Sequence, residues 1–303
     1  MTDYFLHPNW ESKTAIKYDS NGKILDKLFL VSENDKEKER KQREAYKKKL
    51  GWSLTNETGR LEHHIGCFQE NIRALISNLS LTECGILITL LAKMLLGKDG
   101  ILTNANKPMT VTDIQSYIGK GRTKTSQYLN KFSTLGILEP IPKGRTKSYR
   151  VNPQYHILGK HPKSHTNLHF VKLYKNKLNE LIDILKLNEL GFIYKALSLC
   201  HYNEFYLVHN PNEPDTRNLK FINRIELGEI MNENVDNITK IVKSLGEKGV
   251  CYQTPKVVSY RIHPHIVRPL GSIPNQRIID ICNEFEAHKK EALRRKTSKL
   301  ALY

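Results

Sequence analysis

Hydrophobic and polar positions along this chain change their period several times, and the changes come twice in the same order. Residues 72–85, IRALISNLSLTECG, overlie 178–191, LNELIDILKLNELG, at a constant offset of 106. Leu75, Ile76, Leu79, Leu81, Glu83 and Gly85 then meet Leu181, Ile182, Leu185, Leu187, Glu189 and Gly191. Further on, 147–156 (KSYRVNPQYH) matches 258–267 (VSYRIHPHIV) at an offset of 111, the difference being what a longer internal loop absorbs. Two ordered matches at this separation predict two copies of one domain. The expected division is 1–60 as an N-terminal hairpin and charged segment, 69–157 as the first domain and 158–174 as a linker. The second domain follows at 175–268, and 269–303 is a basic C-terminal helix.

Within the first copy, Ser80 and Glu83 form a Ser-x-x-Glu capping box, which opens a helix running to about residue 96 and stopping at Gly97. A short extended piece at 101–103 follows, then a brief helix over 113–118 opened by Thr110 or Thr112 and ended by Gly119. After Gly121 the residues Tyr128, Leu129, Phe132 and Leu135 have the spacing of one buried helical face, and Gly136 ends that helix. Strands at 137–141 and 148–152 are joined by a turn over 142–146. The second copy reads the same way. It has a helix at 187–202, a strand at 205–207, helices at 227–231 and 235–247, and strands at 250–253 and 257–262. In its third helix Ile238, Ile241, Val242 and Leu245 form the apolar face.

Helix, strand, short helix, tight turn, helix and hairpin is the order of a winged helix, whose third helix enters the DNA major groove. The expected fold class is therefore mainly α with small β-hairpins (α+β): two tandem winged-helix domains with charged N- and C-terminal extensions.

Charge sharpens the picture. The 303 residues carry a formal net charge of +17, which points to a polyanionic partner, and a hydrophobic content of 39% is adequate for packed cores. The longest apolar stretch, 84–96, is too short to span a bilayer, and the N-terminus lacks the pattern of a signal peptide. Five cysteines without paired spacing suit reduced thiols and form no zinc pattern. The expectation is a cytoplasmic protein whose partner is double-stranded DNA, with no membrane, cofactor or metal.

Basic residues concentrate in the first copy. Lys-Gly-Arg-Thr-Lys occurs at 120–124, where the third helix begins, and again at 143–147, at the tip of the wing. A glycine beside basic residues and a threonine hydroxyl makes a phosphate clamp, and helix N-termini favour anions independently. The candidate DNA contacts are Lys120, Arg122, Thr123, Lys124, Thr125, Ser126, Gln127 and Lys131 on the helix, with Lys143, Arg145, Thr146 and Lys147 on the wing. Arg122 and Gln127 are the expected base readers, while Thr123, Thr125 and Ser126 either bind phosphate or cap the helix. In the second copy Asn237, Lys240 and Lys243 point outward. There Arg224, Lys240, Lys243, Lys248, Lys256 and Arg261 are nearly balanced by Glu226, Glu229, Glu233, Asp236 and Glu247.

The flanks carry less information. Segment 33–50 reads as a solvated helix or linker, preceded by a hairpin around Asn21-Gly22. Ile278, Ile279, Cys282 and Phe285 form an apolar stripe on a helix that docks on the body, pairs with a second subunit or lies on DNA. His263-Pro264-His265 has the look of the metal pair of rolling-circle nucleases, with Tyr260 or Tyr155 as nucleophile. It falls, however, just after the last wing strand, where the first copy has Asn152-Pro153-Gln154, and no carboxylate-and-tyrosine helix accompanies it. With no phosphate loop of the G-x-x-x-x-G-K-[ST] kind either, no enzymatic activity is expected.

The stretch from Leu79 to Lys160 resembles the winged-helix domains of replication initiators and regulators on plasmids and phages of low-GC Gram-positive bacteria. The residues that carry the resemblance are LSLTECGIL, TVTDIQSYIGKGRTKTSQYLNKFSTLGIL and YRVNPQYHILGK. YDSNGKILDKLF looks like the start of small RepL-type initiators, and two winged helices in one chain resemble iteron-binding initiators. The resemblance implies base reading by the helix beginning near Arg122 and wing contacts from Lys143 to Lys147. It also implies a role in replication initiation at repeated origin sites, with host helicase or its loader as partners. Transcriptional regulation at an operator is the alternative, and self-association accompanies either. The weakly basic second domain departs from an even-handed two-domain binder.

Overall fold

The structure is a computed structural model. It describes residues 5–9, 14–18, 21, 23–29, 37–38, 40–42, 63–143, 146–159, 168–254, 259–269 and 275–300. Two compact units divide the chain, Met1–Leu61 and Glu62–Tyr303.

The first unit holds an antiparallel sheet of β1 (Phe5–Asn9), β2 (Thr14–Tyr18) and β3 (Ile24–Phe29), in the order β1-β2-β3. The expected hairpin is β2–β3, with Tyr18 opposite Ile24 and a register shift at Lys17/Tyr18. β1 carries Pro8, which a strand tolerates at a sheet edge, where β1 lies. Residues 37–38 and 40–42 of the charged segment are helical, with Arg40 donating to Glu37 at 2.9 Å.

The second unit is mixed α+β with small antiparallel sheets. Its first half contains β4 (His64–Phe68), α1 (Gln69–Ile76), α2 (Leu81–Leu91), β5 (Thr103–Asn104), β6 (Lys107–Pro108) and α3 (Val111–Ile118). It continues with α4 (Arg122–Thr134), β7 (Leu138–Lys143), β8 (Thr146–Val151) and β9 (His156–Ile157). The second half contains β10 (Phe170–Tyr174), α5 (Lys175–Ile184), α6 (Leu187–Ala196), α7 (Arg224–Met231) and α8 (Val235–Glu247). After these come β11 (Cys251–Gln253), β12 (Tyr260–Ile262), β13 (Val267–Pro269) and α9 (Asn275–Leu300).

The capping box at the start of α2 forms as the sequence suggests. Ser80 Oγ accepts from the Glu83 N–H at 3.3 Å, and the Ser80 N–H donates to the Glu83 carboxylate at 2.8 Å. α2 and α6 end earlier than expected, at Leu91 and Ala196, and each is followed by an isolated bridge, Met94 to Leu102 and Cys200 to Leu207. The apolar pattern runs on past both helix ends because Met94 and Cys200 remain fully buried in the bridge.

The two halves meet around an approximate twofold axis. β4 and β10 pair antiparallel with Gly66 opposite Lys172, Phe68 opposite Phe170 and His64 opposite Tyr174. β9 and β13 flank this pair on equivalent sides, giving the order β13-β10-β4-β9. The segment 158–174, read above as a linker, thus contributes a central strand. The reason is burial: Val171 and Leu173 are fully buried, as are Ile65 and Cys67 opposite them. Backbone bonds repeat across the axis, from Gln69 N–H to His169 O and from Lys175 N–H to His63 O, both 3.0 Å.

Side chains latch the halves in the same reciprocal way. Gln69 Nε2 donates to Leu197 O (3.1 Å) and Cys200 O (2.9 Å), satisfying carbonyls beyond the end of α6. Lys175, which follows β10 as Gln69 follows β4, donates through Nζ to Met94 O beyond the end of α2. Between these latches α2 and α6 pack backbone to backbone. A Cβ on Gly85 would lie 1.9 Å from Leu187 O, and one on Gly191 1.8 Å from Leu81 O. Only glycine permits this approach. His156 Nε2 and the Tyr194 hydroxyl, both buried, join the halves again at 2.9 Å.

α9 docks on the second half through Ile278, Ile281 and Phe285, all buried, while Ile279 is exposed and Cys282 half-buried. The apolar stripe is therefore shifted from the expected one, with Ile281 in place of Ile279.

Candidate nucleic-acid interface

The basic pentapeptide at 120–124 sits where two helices meet at a three-residue turn. Thr110 and Asp113 form a reciprocal cap at the start of α3 (2.8 and 3.3 Å), and Gly119 ends it in the left-handed conformation (φ 62°). A Cβ on Gly119 would meet nothing within 4 Å, so backbone conformation and not space calls for glycine. At the matching turn of the second half the left-handed residue is Asn232 (φ 54°), the residue type that best tolerates it after glycine.

α4 buries Leu129 and Phe132 against the core, with Tyr128 and Leu135 packed on its margin. Opposite this face Arg122, Thr123, Lys124 and Gln127 are exposed, with Lys120 and Ser126 half-buried beside them. The structure therefore gathers six of the eight expected helix residues at one solvent-facing end of α4. Asn130, three residues after Gln127, is exposed too and extends this face; its spacing from Gln127 was the signal for it.

Two expected contacts are corrected. Thr125 is fully buried, and its hydroxyl donates to Gly121 O at 3.1 Å, one turn back. It belongs to the apolar face, on the same side as Leu129 and Phe132. Lys131 Nζ lies 2.7 Å from Glu83 Oε2 and 2.8 Å from Oε1, fastening α4 to α2. Burial pushes the Glu83 carboxyl up, but hydrogen bonds from Lys131 and the Ser80 N–H hold it below the usual carboxylate range. The charge of Lys131 is thus directed at a neighbour within the fold.

β7 and β8 form a longer and tighter hairpin than expected, paired from Leu138–Val151 to Lys143–Thr146. Pro140 and Pro142 fit because, among the described residues, β7 pairs only with β8, which leaves its other edge without a ladder partner there. Thr146 and Lys147 are exposed at the far end. Gly144 and Arg145, and the side chain of Lys143, lie outside the described residues.

The second half repeats the scaffold with different charges. Asn234 caps α8 through Asn237 N–H at 2.7 Å, and Asn237 Nδ2 donates to Glu233 at 2.6 Å, so the Asn237 amide is engaged within the turn. Lys240 and Lys243 are exposed. Matching the helices from their caps sets Lys120-Gly121-Arg122 against Glu233-Asn234-Val235, and Asp236 is exposed in the first turn. Of the basic residues counted for this half, Lys248 pairs with Glu189 at 2.7 Å. Arg261 is buried over Tyr206, 4.1 Å from the ring centre, between Glu204 and Glu284. Lys256 lies outside the described residues. The free basic surface of this half is smaller than its composition suggests.

Because Glu83 fastens α4 to α2 and Glu189 fastens α8 to α6, the twofold relation of α2 and α6 carries over to α4 and α8. Among the described residues no helix is long and apolar enough to cross a membrane. No family model, no curated protein and no solved structure matches the chain.

Proposed function

We propose that the protein binds double-stranded DNA sequence-specifically through two winged-helix units, with α4 reading the major groove and β7–β8 gripping the backbone as a wing. The observation that carries this reading is the exposed group Arg122, Thr123, Lys124 and Gln127 on a helix whose other face is core. Arginine and glutamine have the bidentate geometry that guanine and adenine edges accept. In this reading Lys120, Thr123, Lys124, Thr146 and Lys147 neutralise or bind phosphates and set the register. The biological role that fits is initiation of plasmid or phage replication at repeated origin sites, handing DNA to a host helicase or its loader.

The twofold relation of α4 and α8 refines the site. One chain presents its two third helices as a symmetric dimer does, so its half-sites are inverted and about one helical turn apart. The half-sites differ in sequence, because Gln127 is matched by Lys240 and Arg122 by Val235. The same geometry favours a second reading, a regulator on an operator. Footprinting combined with a mass measurement of the complex tests both. One chain per unequal inverted pair, recurring as head-to-tail copies, is the result expected of an initiator. A single palindrome holding two chains moves the assignment to the regulator. Equal affinity for every duplex overturns sequence-specific binding altogether.

A further inference from the structure

We infer that His263, His265 and Cys282 form a binding site for a divalent first-row transition metal of zinc's type, which clamps the C-terminal helix to the second half of the protein. One nitrogen of each imidazole and the Cys282 sulfur lie within 4.8 Å of one another. His265 Nε2 is 3.7 Å from Cys282 Sγ. A nitrogen and a sulfur bound to one tetrahedral zinc stand about 3.6 Å apart, given the usual Zn–N and Zn–S lengths. The two imidazoles and the thiol therefore need little rearrangement to share an ion, and a set of two nitrogens and one sulfur suits zinc, cobalt or copper above magnesium or calcium.

The duplication gives an internal control on what these residues are for. In the first half the matching turn is Asn152-Pro153-Gln154, where Asn152 Oδ1 accepts the Gln154 N–H at 2.9 Å. In the second half His263 Nδ1 accepts the His265 N–H at 3.1 Å in the same way. The turn is thus built without histidine in one copy, and two imidazoles exceed what it requires. The third ligand comes from α9, whose side chains His263 meets again at Phe285, with ring centres 4.7 Å apart. The histidines belong to the body and the cysteine to the appended helix, so an ion shared among them crosslinks the two.

The charges around the site are mixed. Lys177 and Lys289 act on His263 and oppose a dication, while Glu286, one turn on from Cys282, favours it. On binding, Cys282 releases its thiol proton to water. Each imidazole binds through the ring nitrogen that carries no proton and keeps its single N–H on the other. The bound set is one divalent ion, one thiolate and two neutral imidazoles, with one proton released.

The test uses untagged full-length protein, stripped with a chelator and titrated with Co2+ and, separately, Zn2+. The expected result is one equivalent of bound cobalt with a thiolate-to-cobalt charge-transfer band, and a Zn2+-dependent rise in Tm. His263→Asn with His265→Gln installs the residues of the first half and should preserve the turn. This double variant should fold without metal, at a Tm lowered only by the lost His263–Phe285 ring contact, and lose both the band and the Zn2+ response. Cys282→Ser should lose the band as well, since the other four cysteines are buried. No band in the wild type, or a band that survives in the double variant, overturns the site. These readouts need no DNA and stand or fall apart from the proposed function.

Discussion

Replacing Gly85 or Gly191 by alanine tests the backbone contact at the centre of the molecule. The new methyl carbon would stand 1.9 Å from Leu187 O in one variant and 1.8 Å from Leu81 O in the other. Carbon and carbonyl oxygen settle at about 3.3 Å, so α2 and α6 must separate by about 1.4 Å. A gap of that size forfeits a quarter to a half or more of each dispersion contact across the helix pair. Overpacking a core usually costs about 1–3 kcal/mol, and a clash against backbone, which cannot rotate away, should reach about 4 kcal/mol. Alanine returns about 1 kcal/mol in helix propensity. The net loss is then about 3 kcal/mol, or roughly 6–12 °C in Tm for a unit of this size. Equilibrium unfolding in urea, followed by circular dichroism, measures it. The two variants should lose equal amounts, being related by the twofold axis. The double variant should lose less than their sum, since the first separation relieves the second clash. A single variant as stable as the wild type, or a strictly additive double, would refute the close approach.

Other outcomes follow from the candidate interface and the core. If the proposed interface neutralises about six phosphates, the logarithm of the binding constant should fall against the logarithm of salt with a slope of about −5, and a flat titration on duplex DNA contradicts the electrostatic grip. Arg122→Ala should narrow the gap between specific and random DNA by about 1–3 kcal/mol, while Lys147→Ala weakens both alike. Lys131→Met, by contrast, should lower stability by about 1 kcal/mol or less and leave competition binding nearly unchanged, because its partner is Glu83. His156 is held neutral by burial, its pKa lowered from 6.5 to about 3. The folded state then binds fewer protons than the unfolded one, so the stability present above about pH 6.5 declines as pH falls toward 3. His156→Val, which copies Val267 of the second half, should flatten that decline by up to about 1.4 kcal/mol per pH unit in unfolding measured across pH, and an unchanged slope rejects the assignment.

Much of this architecture was legible in the chain. The capping box of Ser80 and Glu83, the turn at Gly119 and the buried face of Leu129 and Phe132 are local signals, and they read correctly because local geometry alone produces them. The central strands were not read, since His64–Phe68 and Phe170–Tyr174 are short and acquire their meaning only by pairing with each other. Carrying the 106-residue offset upstream would have laid one on the other. Thr125 and Lys131 were misplaced for different reasons. A threonine can fold its hydroxyl back onto its own helix and so tolerate a buried face. A lysine stem can turn its charge toward a carboxylate 48 positions earlier, as Lys131 does. Ile281 and Ile279 exchanged roles because one helical stripe fits either spacing until the docking surface is known.

The reciprocity of Gly85 with Gly191 has a consequence for how such a chain can diversify. An isologous contact, in which a patch meets its own copy, is the one a homodimer of a single half would make. In a homodimer every substitution enters both sides at once, so neither side can specialise alone. Joined in one polypeptide, each half is free to drift while the shared seam stays fixed. Gly85 and Gly191 are identical, yet Lys120 of one half corresponds to Glu233 of the other, and Glu83 is met by a lysine where Glu189 is met by a serine and a lysine. A single polypeptide thus lets one symmetric seam carry unequal halves, one basic and the other bearing the appended helix.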